Sequence, residues 1–341
     1  MKKLFKPLLF MLLAASISSC SKTDDIIDEP VDDGPRPFTD YEIVKGDDPF
    51  TFQFKSKSAN YKNLEWRFGD DSLGTVESPS HVYLTTGKFE VNLTAVSESG
   101  STARKLLVID INPDSVLQIT AVKTGVPNQV KFGINTKATI GSVSWKLDGE
   151  TTSEEQAPLM TYAVGTLNPF TLKMTTAKGS VAELTKFATT EGIVSNVTNL
   201  VTTQVSKDNS GGPSANEGSL KIVDNNVETK LYLPGWGGSW SMQYLFPAST
   251  VIKYYGIGNG NDSPDRDPKV WTFEGSNDGI NWTVLDSRTL DKNFYDQAGS
   301  KYMQMFYFAV TNPGSYAYYK YNVTSNFGSG DFQISEFRLY K

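Results

Sequence analysis

RDPKVWTFEGSNDGINWTVLDSR, residues 266–288, reads as two strands joined by a tight turn. Trp271 and Phe273 alternate with Thr272 and Glu274, the period of a half-buried strand. A second run begins at Trp282, Val284 and Asp286. Between the runs, Asn277-Asp278-Gly279 supplies residue types that tolerate positive φ, a hairpin signal. Large aromatics at strand spacing are usually packing residues, so both tryptophans are expected in the core.

The rest of the chain fits this all-β beginning. Its 341 residues suffice for two or three domains. Apolar spacing of three and four is missing outside the extreme N-terminus, while glycine-rich turns recur, so the mature protein is expected to be built of β-sandwiches. One cysteine, Cys20, excludes intrachain disulfides and cysteine-based zinc sites. One histidine, His81, leaves little for a Ser-His-Asp triad or a multi-histidine metal site. Carboxylate-pair chemistry stays open, because acidic residues are common. The formal charge of −6 and the lack of a basic stripe argue against nucleic acid.

The hairpin also carries a resemblance. Its pattern, RDPK-W, GSNDG, NW and LD, is similar to the discoidin fold, or coagulation factor 5/8 type C, which includes carbohydrate-binding module family 32. The resemblance extends over about residues 192 to 341 and implies a jelly-roll β-sandwich with its binding site on end loops. Lys221-Ile222-Val223-Asp224-Asn225-Asn226-Val227-Glu228-Thr229-Lys230 resembles a second family segment, with Asn225 for the usual Gly and Leu231 for the usual Trp. Glu336 matches the family's closing acid. In carbohydrate-binding members these segments meet at calcium. The resemblance therefore implies a structural Ca2+ held by the Asp224 and Glu336 carboxylates, the Thr229 hydroxyl, and the carbonyls of Lys221, Asn226 and Thr229. The alternative is a plain turn, with Asp224 capping amides and Glu336 in a salt bridge.

A sugar site needs aromatic platforms beside planar polar groups. Three loop stretches offer them: 234–240 with Trp236, 259–267 with Asn261, Asp262 and Arg266, and 326–331 with Phe327. Tyr295 is a further rim candidate. Trp240 begins an alternating run with Met242 and Tyr244 and is expected in the core. Arg266 and Asp267 have a bland reading as braces of the hairpin.

Upstream, Trp66-Arg67-Phe68-Gly69-Asp70-Asp71, Pro79-Ser80-His81-Val82-Tyr83 and Gly87-Lys88-Phe89-Glu90-Val91 resemble the PKD domain, an immunoglobulin-like sandwich. Asp71 stands where that family has Gly, which asks a non-glycine residue to sit in the turn. His81 is read as a hydrogen-bonded structural residue. The pattern recurs: Trp66 to Pro79 and Trp145 to Pro158 are both 13 residues apart, and Trp66 to Tyr83 and Trp145 to Tyr162 both 17. A degenerate second sandwich is expected, lacking the histidine.

At the N-terminus, Lys2, Lys3 and Lys6 precede a short apolar run, Leu8 to Ile17, that ends in small residues before Cys20. This resembles a bacterial lipoprotein signal. The acidic, proline-containing stretch that follows reads as a solvated tether. Its acids just after Cys20 are similar to the export signal of Bacteroidetes surface lipoproteins, which implies the outer face of the outer membrane. The domains expected are a signal at 1–20, a tether at 21–38, a PKD domain at 39–112, a degenerate PKD- or Ig-like domain at 113–190 and a discoidin-type domain at 191–341. The function expected is non-catalytic capture of a glycan, with the sandwiches as spacers and polysaccharide-utilisation proteins as partners. The rivals are an adhesin for a protein or phospholipid, and a carboxylate-based glycosidase.

Overall fold

The computed structural model describes residues 34–341. The expected cleavage site, Cys20 and most of the tether lie outside the described residues. The described chain is all-β, with twenty-five strands, two four-residue α-helices and three short 3-10 segments.

The first sandwich pairs two sheets. One holds Tyr41–Lys45, Thr51–Ser56 and Ser80–Val82 in that order; the other holds Leu73–Gly74, Asn63–Arg67, Gly87–Val96 and Thr102–Ile111. Strand alternation fills the space between them. Leu64 and Trp66 are buried, while Asn63, Glu65 and Arg67 face water. Phe89, Val91 and Leu93 come in from the neighbouring strand. Trp66 satisfies its indole N–H on the Val76 carbonyl at 2.9 Å. Asp71 takes the left-handed conformation its position demands, with φ 67°. His81 stacks on Phe68 with ring centroids 4.3 Å apart and meets Asp70 through Nε2 at 2.7 Å. Ser72 Oγ approaches the same nitrogen at 3.3 Å. A triad needs one ring nitrogen for the acid and the other for the serine, so this is a structural cluster.

The second sandwich repeats the plan. Its three-stranded sheet is Leu159–Thr161, Gln129–Asn135 and Gln118–Lys123. Its larger sheet runs Thr151–Ser153, Ile140–Leu147, Asn168–Thr176, Val181–Thr189 and Gly192–Val194, one short strand more than in the first copy. Trp145 donates to the Glu155 carbonyl at 2.8 Å, again ten residues downstream. The two cores are continuous, and Val181 N–H donates to the Leu84 carbonyl across the boundary.

The terminal sandwich has a five-stranded sheet, Thr202–Val205, Trp240–Val251, Ser315–Asn326, Pro268–Ser276 and Thr283–Thr289. Facing it are a three-stranded sheet, Met305–Ala309, Tyr254–Gly258 and Phe337–Tyr340, and a two-stranded ribbon, Leu231–Leu233 with Phe332–Ile334. The hairpin of residues 266–288 forms, and in its turn 277–279 only Gly279 takes positive φ, at 71°. Asp278 caps the turn, accepting from the amides of Ile280 and Asn281 at 2.8 Å each. Trp271 is fully buried and donates to the Tyr255 hydroxyl, which donates to Asp286. Trp282 departs from expectation: it is half-exposed, with the Lys320 ammonium 4.3 Å from its ring centroid. The reason is a bulge. Phe273 pairs with Asp286 but Glu274 pairs with Val284, leaving Leu285 as the extra residue. Leu285 and Asp286 both turn inward, so Val284 and Trp282 fall on the outer face.

The strand Tyr254–Gly258 fixes where a site can be. Its Tyr254 end packs with Leu167, Val194 and Phe187 of the second sandwich. Its Gly258 end opens into the loops at the far rim.

Candidate functional site

Four loops meet at that rim: 230–239, 259–267, 294–304 and 326–331. Apart from the ribbon strand Leu231–Leu233, they are held by buried polar side chains. Asn259, fully buried, donates to the Lys301 carbonyl at 3.0 Å and accepts from the Gln304 amide at 2.6 Å. The Gln333 amide nitrogen donates to the carbonyls of Asp262 and Ser263 and to Asp267 Oδ1. Its oxygen accepts from Lys230 Nζ, which also pairs with Asp262 at 2.8 Å. Phe327 N–H donates to the Asp265 carbonyl at 3.0 Å, tying the last loop to the 259–267 loop.

Asp331 clamps three of these loops. Its Oδ1 accepts from Gly235 N–H at 2.9 Å and its Oδ2 from the Tyr232 hydroxyl at 2.8 Å. Those two donors hold its carboxyl below the ordinary carboxylate range. Arg266 reaches the same Oδ2 at 3.8 Å and Asp262 at 3.5 Å, with its guanidinium 4.9 Å from the Tyr232 ring centroid. Asp267 lies beneath at 1% exposure. Burial pushes its carboxyl up to about 7, against hydrogen bonds from Gln333 and Gly260.

The sequence candidates divide on this geometry. Asn261 and Asp262 are exposed on the rim, and half-buried Phe327 stands beside them through Asp265. Half-buried Tyr295 packs on Tyr302, with centroids 4.3 Å apart. Arg266 is present but engaged as a brace. Trp236 is a correction: it is 6% exposed and stacks on Phe332 at 5.1 Å, so it presents no open face. Gly235, Gly237 and Gly238 all take positive φ and turn the indole inward, so the glycines that suggested display instead permit burial. Sequence reading missed Tyr302, whose setting in Gly299-Ser300-Lys301 is as loop-like as that of Phe327. It also missed Tyr232, Lys230, Asp331 and Gln333, whose partners are about a hundred residues away along the chain.

A separate cluster of oxygens lies at the 221–229 loop. Thr229 Oγ1 stands 3.1 and 2.9 Å from the two Asp224 carboxylate oxygens, 3.0 Å from the Asn226 carbonyl and 3.4 Å from the Lys221 carbonyl. Asn225 carries the tip of the turn with φ 62°, a conformation asparagine tolerates. Glu336 is 1% exposed, and its Oε2 is buried without a hydrogen-bond partner. Burial pushes its carboxyl up to about 7; Arg338 opposes this and the Asp224 charge adds to it. Asp224 also accepts from the Asn226 amide, and Glu336 faces Arg338 Nε at 3.5 Å. The turn-and-salt-bridge features and the convergent oxygens therefore coexist. Among the described residues, no group of three or more His, Cys, Asp or Glu side chains could hold a metal. A cation here would rest on two carboxylates, and carbonyls would supply the rest.

Residues 35–111 match the PKD domain family. A peptide-N(4)-(N-acetyl-beta-glucosaminyl)asparagine amidase of Arabidopsis thaliana is 41% identical over 94 residues, 27% of this chain and 12% of the plant protein. The chain thus spans only a small part of that curated relative. The chain also resembles a family 32 module of Clostridium perfringens solved with GalNAc-beta-1,3-galactose, at 12% identity and TM-score 0.35, covering 43% of this chain and 100% of that one. The family 32 module of C. perfringens NanJ, solved with galactose, is 14% identical with TM-score 0.35, covering 44% and 100%. An F5/8 type C domain of Bacteroides fragilis is 15% identical with TM-score 0.36, covering 43% and 96%.

Proposed function

We propose that this protein is a non-catalytic glycan-binding protein whose terminal sandwich holds carbohydrate at the rim loops. The observation that carries the reading is the rim itself. Phe327, with the Lys269 ammonium 5.4 Å from its ring centroid, and the Tyr295–Tyr302 pair are partly exposed aromatics on the same rim as the exposed amide of Asn261 and carboxylate of Asp262. Pyranose rings bind through that combination, an aromatic face for the C–H surface and planar polar groups for the hydroxyls. A glycosidase would need two acids that reach one sugar. The two carboxyls raised to about 7, Asp267 and Glu336, are each 1% exposed and sealed under the loops.

The convergent oxygens around Thr229 and the orphaned Glu336 Oε2 fit a hard cation, and calcium suits carbonyl-rich shells. Lys221, Asp224, Asn226, Thr229 and Glu336 would hold it, and its contribution would be to brace the loop. The two upstream sandwiches would act as spacers. Lipidation at Cys20 would anchor them to the outer membrane, on the cell exterior, near polysaccharide-utilisation partners.

A glycan array probed with residues 21–341, with and without a chelator, tests the reading. Phe327→Ala is expected to weaken binding about ten-fold or more, as loss of a stacking platform would, while leaving the melting temperature in place. Trp236→Ala is expected to lower stability instead. A folded sample that binds no glycan would sink the proposal and leave the protein-adhesin reading.

A further inference from the structure

One lane of side chains joins the oxygen cluster to the seat of the terminal sandwich. Glu336, which immediately precedes the strand Phe337–Tyr340, and Arg338 and Tyr340 within it follow one another at two-residue spacing, the spacing of one strand face. The neighbouring strand clears that face. Gly258 N–H donates to the Glu336 carbonyl, and a Cβ on Gly258 would lie 2.2 Å from Ser335 Oγ and 3.1 Å from Glu336 Cβ. Gly256 pairs with Arg338 on one side and Tyr307 on the other, and a Cβ there would lie 3.0 Å from the Tyr307 ring. Arg338 and Tyr307 therefore meet over a glycine. At the end of the lane, the Tyr307 and Tyr340 rings lie 5.9 Å apart, and Phe187 of the second sandwich packs on them at 5.0 and 5.2 Å.

The polar groups of this lane are incompletely paired. Glu336 Oε2 is buried without a hydrogen-bond partner, and Arg338 Nε reaches Glu336 Oε1 only at 3.5 Å. A half-satisfied network has better arrangements available once one member is fixed.

We propose that Arg338 is a positioning residue that couples the Glu336 carboxylate to the seating of the terminal sandwich on the second sandwich. Whatever fixes Glu336 fixes Arg338, and through it the tyrosine pair under Phe187. The trigger rests on the calcium reading above; the coupling is a property of the chain's own residues.

Hydrogen exchange and calorimetry on residues 21–341 test it. Added calcium is expected to slow exchange at Ser195, Val197 and Lys341, whose amides bridge or flank the junction, by about five-fold or more. Coupling is reciprocal, so Phe187→Ala is expected to weaken calcium binding by a similar factor. Arg338→Gln should abolish the effect on exchange while calcium still binds, and Arg338→Lys should restore part of it. Measurable calcium binding with junction exchange unchanged would overturn the coupling alone. So would unaltered calcium affinity in Phe187→Ala. No calcium binding by the folded protein would remove the calcium reading and the coupling with it.

Discussion

The first two sandwiches are built on the same frame, yet only the first carries the Gly-Asp-His motif. Both bury a tryptophan whose N–H reaches a carbonyl ten residues on, and both seat a proline and a tyrosine at equal spacing. The first adds Gly69, Asp70 and His81 around its turn. The second has Asp148 and Gly149 in a turn open to solvent. The tryptophan, proline and tyrosine spacing thus carries the fold, and the Gly-Asp-His cluster is local reinforcement.

The largest test of that division removes the shared part. Trp66→Ala and Trp145→Ala are each expected to destabilise their own sandwich by about 3–5 kcal/mol, read from denaturant melts. A mild effect in either would break the analogy. Next come the turns. A Cβ on Gly69 would stand 2.6 Å from Glu90 N, whereas Gly149 has open space, though both take positive φ. Gly69→Ala should therefore cost more than Gly149→Ala by about 1–2 kcal/mol, since the strain common to both is supplemented by a clash at only one.

Smaller is the difference in acid. Burial raises the Asp70 carboxyl, but hydrogen bonds from Ser72 and His81 outweigh it and leave it lowered. A lowered carboxyl contributes stability above its unfolded value, lost as pH falls through the folded one. His81→Gln should flatten that acid-side loss in the first sandwich and leave the second unchanged. There Asp148 is lowered chiefly by the Thr151 amide. The smallest test is the tyrosine pair. Tyr83 donates to the Phe68 carbonyl at 2.9 Å, while the buried Tyr162 hydroxyl has no partner. Tyr83→Phe should cost about 1 kcal/mol and Tyr162→Phe nothing, or give a slight gain.

What the sequence made legible follows the same line. Alternating aromatics and repeated spacing are short-range signals, so the sandwiches and the 266–288 hairpin could be read. The bulge at Leu285 could not, because it depends on register with a partner strand, and it placed Trp282 on the wrong face. At the rim, exposed Asn261 and Asp262 were legible as polar loop residues. Trp236 was misread because glycine flanks fit display and burial equally well. The clamp of Lys230, Asp331 and Gln333 was illegible because its partners lie far apart along the chain.

The meeting of Ser195 with Lys341 has a mechanical consequence. They exchange two backbone hydrogen bonds of 3.1 Å, and Val197 N–H donates to the Leu339 carbonyl at 2.9 Å beside them. The strand that carries Leu339 pairs in turn with Tyr254–Gly258, which points from the second sandwich to the rim. A load applied between the rim and the upstream sandwiches would run along these strands, so the bonds would be sheared together rather than peeled singly. A pull on the terminal sandwich would then be resisted at its root, where the chain crosses into it.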